Sequence, residues 1–252
     1  MENTITFIGN GNMALSIAKG LKDIKRIEVV GRSIESLDRF EKELGKSIDK
    51  HLLDNFDINN KNIIVCVKPA NIQSVGAKIT GVAQNLYSVL AGSTLSTLKD
   101  NIKSKYTVRT MPNLCASVSE SLTTITGDIE IKEEALELFS SIGQTVWLDS
   151  EKEIDIATAV AGSGPAYLAL IHEALCDGAV KQGMKRTDAI NVANGLFKGF
   201  GELIGTTNAS LLKDGVMSPG GTTAAGYAAL EENGVRNACI KAVEAAFKIT
   251  QK

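Results

Sequence analysis

The sequence predicts an α/β fold: a Rossmann-type doubly wound sheet over residues 1–149, followed by an all-helical domain over residues 150–252. Three observations carry this. A short apolar strand, Thr4 to Ile8, runs into Gly9-Asn10-Gly11-Asn12-Met13-Ala14 and then into a helical pattern. Apolar runs of strand length alternate with helical segments as far as Leu148. Beyond Asp149-Ser150 strand periodicity stops, and Ala- and Gly-rich helical segments take over.

The first strand and turn form the Gly-x-Gly-x-x-Ala version of the dinucleotide fingerprint in its required strand–turn–helix context. Gly9 makes the tight turn, Gly11 admits a pyrophosphate, and Ala14 packs the helix, which turns Leu15, Ala18 and Leu21 inward. The second strand, Ile27 to Val30, ends at Gly31-Arg32-Ser33. An acidic residue at this place holds a free ribose 2′-hydroxyl. Here Arg32 and Ser33 replace it, which favours a 2′-phosphate and hence NADPH, with NADH possible; the plainer alternative is a surface arginine beside a turn.

Asn62 to Val67 reads as a fully buried parallel strand, with Lys68-Pro69 at its carboxyl end, where ligands sit in open α/β sheets. Further strands are expected at Leu86–Leu90, ending at Ala91-Gly92, at Tyr106–Thr110, running into Met111-Pro112-Asn113, at Ser121–Thr126 and at Thr145–Leu148, with a helix over Lys132–Ser141. The helical half divides into about Glu151–Gly183, Arg186–Gly205, Ala209–Asp214, Gly220–Glu232 and Val235–Lys248. Pro165 should kink the first of these within Gly162-Ser163-Gly164-Pro165-Ala166-Tyr167.

Ser218-Pro219-Gly220-Gly221-Thr222-Thr223 precedes a helix. A proline near a helix start wastes no hydrogen bond, and the glycines allow another molecule close to the backbone. The free N–H groups then make an anion site, for a phosphate or a carboxylate; a plain helix cap is the simpler reading. All four prolines of the chain, Pro69, Pro112, Pro165 and Pro219, lie in the turns named above.

Composition narrows the function. At 44% hydrophobic residues a real core can form, and a net charge of -2 without a long basic run points away from nucleic acid and acidic membranes. Cys66, Cys115, Cys176 and Cys239 have neither metal-ligand nor disulfide-framework spacing, so no metal is expected and the thiols read as reduced, in a cytoplasmic protein. Met1 leads straight into a strand, so no signal peptide is expected, nor is any apolar run long enough to cross a bilayer.

Together Gly9-x-Gly11-x-x-Ala14, Val67-Lys68-Pro69, Met111-Pro112-Asn113, Gly162 to Tyr167, Asp177-Gly178-Ala179-Val180 and Ser218 to Thr223 resemble the pyrroline-5-carboxylate reductases, in that family's order and over nearly the whole chain. Ala229-Leu230-Glu231 through Gly234-x-Arg236 also matches. The resemblance implies reduction of Δ1-pyrroline-5-carboxylate to proline with NADPH or NADH. It implies that Ile8, Gly9, Asn10, Gly11, Asn12, Met13, Ala14, Arg32 and Ser33 hold the cofactor, and that Cys66, Val67, Lys68, Pro69, Ala91 and Gly92 line its nicotinamide side. It assigns the substrate carboxylate to Ser218, Gly220, Gly221 and Thr222, sets the catalytic Thr223 against the ring nitrogen, and brings Glu151 near the substrate by a looser match. It further implies a homodimer, or a larger homo-oligomer, through the C-terminal helices. Two departures stand out: Gly205-Thr206-Thr207-Asn208-Ala209 replaces a short His-Pro segment, and Gly215 stands where a polar residue is common.

The chemistry is consistent without the family. Reduction of a ketone needs a proton donor for the oxygen, yet the histidines are His51, in a charged stretch, and His172, on a helix, and no Lys follows Pro165 closely. A protonated imine accepts hydride directly and asks mainly for positioning. The alternatives are a hydroxy-acid dehydrogenase of similar architecture, against which the missing Lys speaks, and a non-catalytic NADP sensor, which has no need of an anion loop.

Overall fold

The computed structural model describes residues 4–251. Met1, Glu2, Asn3 and Lys252, at the ends of the two expected domains, lie outside the described residues. The chain divides into two compact units, one up to Ser163 that also takes back the segment from Ala246, the other spanning Gly164–Ala245. This division falls later than Asp149, because the helix that follows Ser150 packs on the sheet.

The first unit runs β1 (Thr4–Ile8), α1 (Asn12–Leu21), β2 (Arg26–Gly31), α2 (Ile34–Leu44), β3 (Asp49–Leu52), β4 (Phe56–Asp57), β5 (Asn62–Val65), α3 (Ile72–Gly76), β6 (Ile79–Thr80), β7 (Ala83–Ser88), α4 (Leu95–Asn101), β8 (Ser104–Met111), β9 (Ser121–Gly127), α5 (Lys132–Ser140), β10 (Gly143–Trp147) and α6 (Glu151–Ala157). Eight strands form one sheet in the order β10-β9-β8-β7-β5-β1-β2-β3. All neighbours are parallel except β8 and β9. The remaining strands, β4 and β6, pair with each other.

Alternate residues of the central strands enter opposite faces. Phe7, Val29, Ile64 and Tyr87 join a core with α1, α2 and α5. Ile8, Val30, Ile63, Val65 and Leu86 join the other, with Ile72, Val75 and Leu98 of α3 and α4. Burial on both faces is why these strands read as continuous apolar runs rather than alternating ones.

The expected strands are present with shifted ends. The run from Asn62 leaves the ladder after Val65, so Cys66 and Val67 fall in the loop, and the run at Leu86 begins earlier, at Ala83. His51, expected in a charged stretch, lies in the edge strand β3. Its Nε2 is 3.0 Å from the carboxylate of Glu28, which is buried in β2 and also meets Lys61 at 2.9 Å and the Thr6 hydroxyl at 2.5 Å.

The second unit contains α7 (from Gly164 to Lys181), α8 (Arg186–Ile204), α9 (Ala209–Val216), α10 (Thr222–Glu232) and most of α11 (Val235–Thr250). Its buried apolar cluster consists of Cys176, Ala189 and Ala193 alone. Leu168, Leu170, Val192, Leu196, Phe200 and Leu230 are exposed. Contrary to the expectation that no apolar run is long enough, the helical stretch Glu151–Lys181 has the length and composition to cross a membrane, with a mean hydropathy of 1.4. It is not one α-helix: α6 widens into a π-turn over Thr158–Gly162 and ends at Ser163, before α7 begins. The break is where Pro165 was expected to kink it.

Candidate active site

The loops after β1, β2 and β5 enclose a cleft of about 710 Å³ at the carboxyl edge of the sheet. It opens where the strand order reverses, between β1 and β5, as ligand crevices of doubly wound sheets do. Of the residues expected to hold the cofactor, Ile8, Gly9, Asn10, Gly11, Arg32, Ser33, Cys66, Val67 and Lys68 line it.

Gly9 can only be glycine here. Its φ is +108°, and a Cβ would stand 2.5 Å from the carbonyl oxygen of Cys66. Gly11 has open space around it, and the first turn of α1 has no side-chain cap, so its N–H groups are free of protein partners among the described residues, next to the Gly11 that lines the cleft. Ala14 is fully buried, and packs the helix rather than lining the cleft. Asn12 and Met13 share that first helical turn, and Pro69 opens a short 3₁₀ turn; none of the three lines the cleft. Ala91 and Gly92 do not reach it either. They follow β7, and Gly92, at φ +69°, lies beside the backbone of Thr250.

Sequence reasoning missed Ser36, Arg39, Asn71, Ser74 and Lys78, which also line the cleft. A signal existed for two of them. Ser33 caps α2, its hydroxyl accepting from the Ser36 N–H at 3.4 Å, so Ser33, Ser36 and Arg39 recur every three residues along one face.

Electrostatically the cleft suits an anion. Arg32, Arg39, Lys68 and Lys78 line it without an acidic side chain among the lining residues. Lys78 pairs with Asp54 at 2.8 Å, whereas neither guanidinium has a partner among the described residues. Cys66 is no nucleophile, since burial pushes its thiol far up from the ordinary value.

Of the other predicted residues, Glu151 is engaged: its Oε1 accepts from Arg109 Nη1 at 3.0 Å and from the Leu95 N–H at 2.7 Å, at the start of α4. His172 is a satisfied helix residue, its Nε2 2.9 Å from Asn194 Oδ1 and its ring edge-on to Phe197.

The loop at Ser218 belongs to the second unit. Pro219 is not at the helix start. It stands second in a tight turn closed by the Gly221 N–H on the Ser218 carbonyl at 2.9 Å, with Gly220 third at φ +72°. Proline supplies the fixed φ of the second position and glycine the positive φ of the third, as in a type II turn. Gly221 then caps α10, which begins at Thr222. The first helical bond runs from the Ala225 N–H to the Gly221 carbonyl, so the N–H groups of Thr222, Thr223 and Ala224 have no partner among the described residues. The hydroxyls of Ser218, Thr222 and Thr223, all on exposed residues, are unpartnered there as well. The result is an exposed donor set sized for one carboxylate or phosphate.

Residues 151–252 match the family model for pyrroline-5-carboxylate reductase dimerisation, and residues 4–92 that for coenzyme F420-dependent NADP oxidoreductase. The chain is 34% identical to the pyrroline-5-carboxylate reductase of Thermus thermophilus over 97% of its own length and 96% of that protein. Its fold superposes on the enzyme of that name from Streptococcus pyogenes with a TM-score of 0.86 at 27% identity, covering 98% of each chain. It also superposes on the NADP-bound pyrroline carboxylate reductase of Plasmodium falciparum with a TM-score of 0.80 at 28% identity, covering 100% and 98%.

Proposed function

The chain belongs to the pyrroline-5-carboxylate reductase family, and we propose that its first unit holds NADPH while the loop Ser218–Thr223 of its second unit holds the carboxylate of the substrate. The protein reduces Δ1-pyrroline-5-carboxylate to proline with NAD(P)H, the final step of proline biosynthesis.

The observation that carries the assignment is the pair of unpartnered donor sets. One is the glycine turn with Arg32 and Arg39 in the cleft of the first unit; the other is the backbone and hydroxyl set at the start of α10. Gly9, Asn10 and Gly11 hold the pyrophosphate, Arg32 and Ser33 the 2′-phosphate, and Val67 and Lys68 the nicotinamide side. Bound there, the cofactor supplies hydride to the imine carbon.

The protein supplies position. The N–H groups of Thr222 and Thr223 and the Ser218 hydroxyl hold the carboxylate, with the positive end of the α10 dipole behind them. The Thr223 hydroxyl faces the ring nitrogen and holds its proton in place. Fixing donor and acceptor in line removes roughly 7–11 kcal/mol of barrier, and an iminium needs no stronger acid. Glu151, whose Oε1 is held by Arg109 and the Leu95 N–H, is the carboxylate assigned near the substrate, where its charge favours the protonated imine.

The exposed apolar side chains of α7 and α8 support a homo-oligomer formed through the C-terminal helices, as does an apolar groove lined by Leu196, Phe200, Leu212 and Val216. Four unbridged thiols support a reducing compartment, the cytoplasm. The functional division between cofactor and substrate portions stays at Asp149, just before the dimerisation match begins at residue 151.

Thr223→Ala tests the assignment. It should lower kcat roughly 10²–10³-fold, as loss of one transition-state donor does, with NADPH affinity unchanged. Equal losses in both would count against a substrate role.

A further inference from the structure

Asn113 follows β8 and is 8% exposed. Its backbone N–H and both polar atoms of its side chain are hydrogen-bonded. Its backbone N–H donates to Ser121 Oγ at 3.0 Å, and its Oδ1 accepts from the Cys115 N–H at 3.0 Å. Its Nδ2 donates at 3.1 Å to the main-chain carbonyl of Ala161.

That last bond has a reason in the sequence. Ala161 lies in the π-turn Thr158–Gly162. In an uninterrupted α-helix its carbonyl would accept from the N–H of residue 165. Residue 165 is proline and has no N–H to give. Upstream, the Ser163 N–H is already taken by the Thr158 carbonyl at 3.0 Å, in the five-residue spacing of a π-helix. A carbonyl deprived of its helical donor is therefore supplied with one from a different element, 48 residues away in sequence.

The place matters as much as the bond. β8 runs parallel to β7, β5 and β1, so Asn113 stands at the same sheet edge as the Gly9 turn. The π-turn lies over the end of β8: a Cβ on Gly162 would be 4.0 Å from Met111 Cγ. The edge of the sheet that carries the cofactor cleft thus also carries a helix break, and Asn113 is what fixes the break there.

We propose that the Asn113 amide substitutes for the N–H that Pro165 lacks, and so acts as a positioning residue for the reaction by setting the backbone of Ala161–Ser163 at the ligand edge of the sheet. Its role is to orient that turn, not to touch the reacting atoms. The two residues are then one device: the proline opens the helix and the asparagine holds it open in one geometry.

The test is a double-mutant cycle on the full-length enzyme. Pro165→Ala restores an N–H at the position from which an uninterrupted α-helix bonds the Ala161 carbonyl, so it offers that carbonyl a replacement for the lost Asn113 donor. Asn113→Ala in the native background should lower kcat/KM for pyrroline-5-carboxylate at least tenfold, with the Kd for NADPH within twofold. The same change in the Pro165→Ala background should cost less than threefold. The thermal midpoint should show the same pattern, a clear drop in the first background and a small one in the second. The kinetic readout rests on the reductase reading given above, whereas the thermal readout does not, so the two can fail separately. Equal losses in both backgrounds, or no loss in either, would overturn the proposal. If Asn113→Ala fails to fold and the double variant folds, the proposal stands; if neither folds, it falls.

Discussion

The guanidinium of Arg109 lies 2.5 Å from the carboxylate of Asp155, with only 2% of the arginine exposed. Arg109 sits in β8 and Asp155 in α6, so this ion pair fastens the helix after Ser150 to the sheet. Glu151 adds a second carboxylate at 3.0 Å, and Gln251 reaches Asp155 Oδ2 at 3.3 Å. The cluster explains why the compact first unit extends to Ser163 and regains the segment from Ala246.

Removing one partner of a buried pair leaves an uncompensated charge, which costs about 3–5 kcal/mol. Arg109→Met should destabilise the protein by that order, measured by urea unfolding. Replacing Arg109 and Asp155 together by apolar residues should cost clearly less, because the buried Asp155 charge is then not stranded, while Glu151 is partly exposed and keeps the Leu95 N–H. Additive losses would mean that the pair is not a coupled unit.

Arg32→Ala should weaken NADPH binding about tenfold, the worth of a hydrogen bond to a charged group. NADH has no 2′-phosphate and should bind almost unchanged. Fluorescence titration of both cofactors checks this, and equal losses would remove the argument from the missing acid at the end of β2. Arg39, on the same wall of the cleft, should give a smaller effect of the same sign.

Glu231 gives a pH-dependent prediction. Arg236 first, and then the Tyr227 hydroxyl, hold its carboxyl down at about 2. A depressed folded value means that the carboxylate form is favoured in the folded state. Its contribution is therefore complete above the ordinary glutamate value and is lost as pH falls from there through about 2. The carboxyl carbon of Glu231 should titrate near that value by NMR, and Arg236→Gln should move the titration up toward ordinary glutamate. A titration unmoved by that substitution would contradict the pairing.

Much of this was legible in the sequence, for physical reasons. β1, β2, β5 and β7 are buried on both faces, so they announce themselves as apolar runs, and the Gly9 turn is set by a φ that only glycine adopts easily. The edge strand β3 reads Asp49-Lys50-His51-Leu52 and was hidden, because its side chains pair with Arg26, Asp38, Glu41 and Glu28 instead of entering the core. Arg109 was hidden for the opposite reason. An arginine within an apolar strand carries no mark of the two acids, 42 and 46 residues on, that make its burial tolerable. Lys78 entered the cleft unannounced too, brought there by the short β6 and α3 segments that no periodicity reveals. The turn at Ser218 was legible as a glycine turn before a helix, but the helix begins at Thr222 rather than Gly220, which leaves Pro219 second in a tight turn, where proline is as much at home as at a helix start.

The central claim is tested most directly by following NADPH oxidation with Δ1-pyrroline-5-carboxylate, repeated with NADH and with the six-membered piperideine-carboxylate. Rapid oxidation that depends on the five-membered imine, faster with NADPH than with NADH, is the predicted result. Tight NADPH binding with no turnover of either imine would contradict it, and would leave the donor set at Thr222 as no more than a helix cap.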